Sequence, residues 1–113
     1  MIRYGIYTIN DSTGDITLAA STATDATLLA ATNTAYSKAL SSVYSVDGGR
    51  DYYAAIIVVG TTMPVLSGLT GVAADWAALP IPSYQISSLS DLPATATFAT
   101  LVASTMLVYM ELV

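Results

Sequence analysis

A chain of 113 residues with only 10% charged side chains and a net charge of −5 is long enough to bury a core as one domain, 1–113, yet short enough to leave apolar surface uncovered in a monomer. Its three cations, Arg3, Lys38 and Arg50, form no basic patch that would neutralise phosphates, which argues against nucleic acid as a partner. With neither His nor Cys, the chain lacks the commonest general base, the commonest transition-metal ligand and the thiol nucleophile, which removes hydrolytic triads, disulfides and thiolate sites.

Small neutral residues take the place of the missing charges: eighteen Ala, fifteen Thr and twelve Ser. Such side chains lose little rotamer entropy on burial, and a surface built from them is easily desolvated against neighbouring subunits. The acids are seven Asp and one Glu, a ratio that suits turns and caps better than helix surfaces laced with Glu–Lys pairs. The opening MIRYGIYTIN lacks the apolar core of a signal peptide and reads as mature structure from the first residue.

Ile2 to Ile9 alternates as a strand with both faces partly apolar. Asn10-Asp11-Ser12-Thr13-Gly14-Asp15 is rich in turn formers, and Ile16 to Ala20 returns as the second arm of a β-hairpin. Asn10, Asp11, Ser12 and Asp15 offer oxygen atoms, but at spacings that do not match a calcium-binding EF-hand loop. From Thr24 the period changes. Leu29, Tyr36, Leu40 and Val43 fall at helical spacing, reinforced by Leu28 and Tyr44, with Thr24 placed as an N-cap and Asp25 in the first turn. The spacing predicts a main helix over about 24–45, ended by Asp47-Gly48-Gly49.

Next comes Arg50 to Pro64, whose unbroken apolar run from Ala54 to Val59 predicts a central strand, about 51–62, buried on both faces. Val72 to Leu79 fits a short helix around Trp76, stopped by Pro80 and Pro82. Tyr84 to Leu89 fits an edge strand. From Ala94 to Val113 the alternation and the Thr and Val content favour a C-terminal strand, although the pattern alone also accommodates a helix. The expected fold is α+β: a small, mainly antiparallel sheet with one helix packed on it.

No pattern carries chemistry. Lys38 precedes Ser41 and Ser42 at helical reach but reads as an exposed lysine among serines, and Asp47 and Asp51 read as turn residues beside Arg50. No phosphate-cradling loop, cofactor motif or metal-ligand set is present. Leu92 to Met110 is uncharged and long enough to span a bilayer as a helix. Its Ser and Thr content, Pro93 and the lack of a flanking cation weigh against a membrane. Tyr and Trp favour interfaces because they combine contact area with a polar handle. Tyr4, Tyr7, Tyr52, Tyr53 and Trp76, with Arg50, are therefore the candidate interface residues, Tyr52 and Tyr53 pointing to opposite faces of one strand.

Short, acidic, Cys-free and rich in Ala, Thr and Ser, the chain resembles the small structural proteins of tailed-phage virions, in particular capsid decoration or cement proteins. The resemblance spans the chain as composition and rests on no motif, so it assigns no residue. It implies a non-enzymatic virion component, assembled in the host cytoplasm, with two kinds of partner: further copies of itself in closed symmetry such as a trimer, and a shell or capsid protein. Apolar subunit contacts would stabilise the shell. Two other classes stay open: a small membrane-associated protein using the C-terminal apolar segment, and a small ligand-binding domain.

Overall fold

The strand at the middle of the sheet is the first one in the chain. The computed structural model describes residues 1–66, 68–70, 83–108 and 110. Its strands are β1 (Ile2–Ile9), β2 (Ile16–Ser21), β3 (Tyr52–Val58), β4 (Gly68–Thr70), β5 (Tyr84–Gln85), β6 (Thr95–Ala96), β7 (Val102–Ala103) and β8 (Met106–Val108). Four of them form an antiparallel sheet in the order β3-β1-β2-β6, while β4–β8 and β5–β7 are separate antiparallel pairs. The result is a curled half-barrel that is nearly all sheet.

The hairpin of β1 and β2 is built by its turn residues. The Asn10 side-chain Oδ1 accepts from the backbone N–H of Ser12 and Thr13, its carbonyl accepts from Gly14, and its own N–H donates to Asp15. Gly14 supplies a φ of 75°, a conformation glycine adopts without steric cost. Between Ile6 and Tyr7 the register shifts: Ile6 faces Ala20 and Tyr7 faces Leu18, leaving Ala19 as the extra residue of a bulge. The buried side chains, Ile2, Ile6, Tyr7, Ile16, Ala20, Leu28, Ile57 and Thr22, gather on and around this hairpin.

The expected α+β arrangement with a helix packed on a sheet is not what the chain adopts. Residues 24–45 form no helix: they run as irregular chain, pinned by isolated bridges of Asp25 to Ile2 and of Leu40 to Thr22. Local chemistry competes with the helix. Asp25 Oδ1 accepts from the backbone N–H and the hydroxyl of Thr27, and the Tyr36 hydroxyl accepts from the backbone N–H of Ala31. Leu29 and Asn33 sit at φ of 63° and 55°, in the left-handed region that a right-handed helix excludes. Thr24, Thr27, Thr32 and Thr34 lower helix propensity further. Of the helically spaced apolar residues only Leu28 is buried, and Val43 is 99% exposed.

The strand expected at the centre, about 51–62, is β3, restricted to Tyr52–Val58 and placed at one edge of the four-stranded sheet. Only Ile57 in it is buried, and Ala54 is exposed. An apolar run reports strand character and does not by itself demand a neighbouring strand on each side. The C-terminal strand is likewise divided. A 3-10 turn at Phe98–Thr100, closed by Thr100 and Leu101 N–H donating to the Thr97 and Phe98 carbonyls, interrupts the alternation. The pieces then pair separately: β6 with β2, β7 with β5 and β8 with β4. The edge strand expected over Tyr84–Leu89 is the two-residue β5, and Ser88 turns away at φ 61°. The short helix expected around Trp76 lies outside the described residues.

Candidate functional site

Paired residues of β1 and β3 share a face, which divides the tyrosines into two groups. Tyr7 faces Tyr53 and Gly5 faces Ala55 on one side, whereas Tyr4 faces Ile56 and Thr8 faces Tyr52 on the other.

On the first face a strap, Asp91 to Ala94, lies across β1 and β2. The Arg3 guanidinium donates to both Asp91 carboxylate oxygens at 2.7 and 2.6 Å, to Ser21 Oγ at 2.6 Å and to the Thr22 carbonyl at 3.0 Å. Leu92 sits over Gly5, where a Cβ would come within 2.9 Å of Leu92 Cδ1 and 3.1 Å of Leu18 Cδ1. The Tyr7 hydroxyl donates to the Pro93 carbonyl at 2.8 Å, and Leu18 N–H donates to the Ala94 carbonyl at 2.8 Å. Tyr7 is 2% exposed. Burial, aided by the Asp91 charge and opposed by Arg3, pushes its phenol up to about 12. Its hydroxyl stays neutral and acts as a donor to the strap.

Beyond the strap the same face opens into an apolar cavity of about 290 Å³, lined by Tyr7, Tyr53, Tyr84, Leu92, Leu101 and other residues. Tyr53 meets Tyr84 edge to face at 5.3 Å between ring centroids, and Tyr84 meets Phe98 in the same way at 6.1 Å. Burial, with Tyr84 beside it, raises the Tyr53 phenol. The Tyr84 hydroxyl is enclosed and has no partner in bonding geometry.

On the second face Tyr4 is half-buried; its carbonyl accepts from Thr22 N–H and its N–H donates to Thr22 Oγ1. Burial, then the Asp25 carboxylate and Tyr36, raise its phenol. Asp25 itself is held well below the usual carboxylate range by hydrogen bonds from Lys38, at 2.6 Å, and from Thr27. Tyr52 meets Tyr44 edge to face at 6.2 Å, and its hydroxyl accepts from Asp47 N–H at 2.9 Å. Arg50 is exposed, 4.0 Å from the Asp47 carboxylate, and lines an open groove with the hairpin ends and Thr95–Thr97.

Of the sequence-derived interface residues, Tyr7 and Tyr53 are therefore brought together inside the half-barrel, Tyr4 and Tyr52 share the opposite face, Arg50 stands apart on the surface, and Trp76 lies outside the described residues. Tyr84, Phe98 and the strap were not singled out from sequence. The signal available was slight: a lone Phe, and the Asp91-Leu92-Pro93 triplet ahead of the C-terminal segment.

Among the described residues no group of three or more Asp or Glu side chains is assembled that could hold a metal, and the candidate oxygens of the hairpin serve the backbone: Asp15 Oδ1 accepts from Phe98 N–H. No helix of the described residues is long and apolar enough to cross a membrane. No protein-family model matches the chain, and no curated protein or solved structure matches it.

Proposed function

We propose that this protein is a non-enzymatic assembly subunit, of the kind found as capsid decoration or cement proteins in phage virions, that stabilises a shell through apolar contacts between subunits. One observation carries the reading. The chain exposes 7588 Å², whereas a folded monomer of 11.7 kDa is expected to expose about 5,900 Å². The excess, about 1,700 Å² on one chain, is roughly twice the ~800 Å² that each partner contributes to a standard protein–protein interface. Part of it is apolar and stands free of the fold: Val43 and Val65 are 99% and 100% exposed, and Val46, Met63 and Val102 are over half exposed. A thinly charged chain rich in Ala, Thr and Ser lets such a surface be covered at little desolvation cost. Arg50, Tyr52 and Tyr4 are the residues we place at the contact. Electron microscopy of the native source, with the protein labelled, tests the reading: it expects the label at regular positions on large particles, and a label confined to free soluble protein overturns it.

A second reading, a small ligand-binding domain, is favoured by the apolar cavity with its unpartnered Tyr84 hydroxyl. A rise in melting temperature on adding a medium-chain alcohol would support it.

A further inference from the structure

We infer that the outer edge of β3 pairs, antiparallel, with the same edge of a second copy of this chain, about a two-fold axis at Ala55, so that the two sheets become one. This rests on the assembly reading and names its interface.

The edge is read from the hydrogen-bond alternation. In an antiparallel ladder, residues bonded to one neighbour alternate with residues that turn their N–H and C=O the other way. On β1, Ile2 exchanges bonds with Asp25 and the Tyr4 carbonyl accepts from Thr22, so these residues face the β2 side. Arg3, Gly5 and Tyr7 therefore bond to β3, where they meet Ile57, Ala55 and Tyr53. It follows that Tyr52, Ala54, Ile56 and Val58 turn their backbone groups away from β1. Among the described residues none of those groups has a partner.

An edge of this kind is normally blunted by a charge, a proline or a bulge. Tyr52-Tyr53-Ala54-Ala55-Ile56-Ile57-Val58 contains none of these, and its register with β1 is unbroken. What covers it must be an extended strand, because only a strand supplies donors and acceptors at this spacing. The opposite edge of the sheet, β6, is two residues long and gives a head-to-tail pairing almost nothing to hold. Pairing with itself uses the whole strand. Centred on Ala55, the register sets Ala54 against Ile56, Tyr52 against Val58 and Tyr53 against Ile57. Each is an apolar or aromatic cross-strand pair with no like charges opposed. Ala54 and Ala55 keep the centre narrow, and Ala54 is already exposed.

The test uses the full chain in three forms. Ala54→Pro removes an outward N–H at a position where an edge strand accepts proline, and two-fold symmetry doubles the loss. Ala55→Cys places a thiol on the axis, where non-hydrogen-bonded partners approach to about 4.5 Å between Cα atoms, within disulfide reach. Ser12→Cys in the hairpin turn is the control, in a chain that has no cysteine of its own. Sedimentation should show a dimer for the unaltered protein and a dissociation constant about twenty-five-fold higher for Ala54→Pro, two bonds lost at roughly fivefold each. Mild oxidation should convert Ala55→Cys, and not Ser12→Cys, to a disulfide-linked dimer. An oligomer that persists in Ala54→Pro, with Ala55→Cys cross-linking no better than the control, overturns the β3 edge while leaving the assembly reading in place. A monomer at every concentration, with no cross-link, overturns both. Should Ala54→Pro fail to fold, the cysteine pair decides alone.

Discussion

β1 and β3 differ in how their polar and apolar groups are covered. Around β1 the chain itself supplies the partners: β2 and β3 take the backbone, Asp25 and Tyr36 of the irregular chain lie near Tyr4, and the Asp91–Ala94 strap locks the other face through Arg3, Gly5 and Tyr7. Along β3 the inner edge is paired, while among the described residues no backbone group pairs with the outer edge. The difference teaches that the more apolar strand is not the more buried one. β1 carries an arginine and a glycine and sits at the centre; β3 carries neither and sits at the rim.

The sharpest way to break this contrast is to fill the space above Gly5. Gly5→Val should force Leu92 and Leu18 apart and destabilise the fold by about 2–3 kcal/mol, the upper range for overpacking a closed site, read as a lower urea midpoint. A change under about 0.5 kcal/mol would mean that the strap does not rest on β1. Tyr7→Phe should cost less, about 1 kcal/mol, because it removes one hydrogen bond and leaves the Pro93 carbonyl without its donor. The same substitution at Tyr53 provides a comparison in the aromatic cluster that meets Tyr84 and Phe98.

Acid supplies the gentlest perturbation. The Asp91 carboxylate is held below its ordinary pKa of 3.8, first by Leu92 N–H and then by Arg3, and Asp25 is lowered too. A depressed folded-state pKa means stability that is fully present at neutral pH, starts to fall as pH drops through the ordinary carboxylate value, and is lost below the folded-state value. Unfolding measured from pH 7 down to pH 2 should therefore show a loss confined to the acid end. Asp91→Asn should make that loss shallower. An unchanged acid profile in Asp91→Asn would separate Asp91 from the strap's stability.

How much of this was legible in the sequence follows from which interactions are local. The hairpin could be read because Asn10, Gly14 and the alternation around them act within a few residues. The strand character of Tyr52–Val58 could be read as well, since β-branched residues report it directly. Its position could not. Nothing in AAIIV distinguishes a strand flanked on both sides from one flanked on one side only. The helix expected over 24–45 went wrong for the opposite reason: apolar spacing was counted, with Tyr36 as part of it and Asp25 as a first-turn acid, while the local turn bonds of Asp25, Thr27 and Tyr36 leave no mark in that spacing. The strap joins Arg3 to Asp91 and Tyr7 to Pro93, contacts between distant parts of the chain that leave no periodic trace. Nothing around Gly5 in the sequence points to the Leu92 side chain that lies above it. The interface residues were legible only as a residue type, and the fold sorts them: Tyr7 turned inward to the strap, Arg50 outward to solvent.

Amide hydrogen exchange, resolved by residue and repeated across a concentration series, tests the central claim most directly: β1 is closed by its own chain, and the outer edge of β3 is left for a second copy. The account predicts that Arg3, Gly5 and Tyr7 are protected at every concentration, whereas Ala54, Ile56 and Val58 exchange quickly when dilute and become protected as the concentration rises. Protection of Ala54, Ile56 and Val58 that does not change with concentration, whether high or absent throughout, would contradict it.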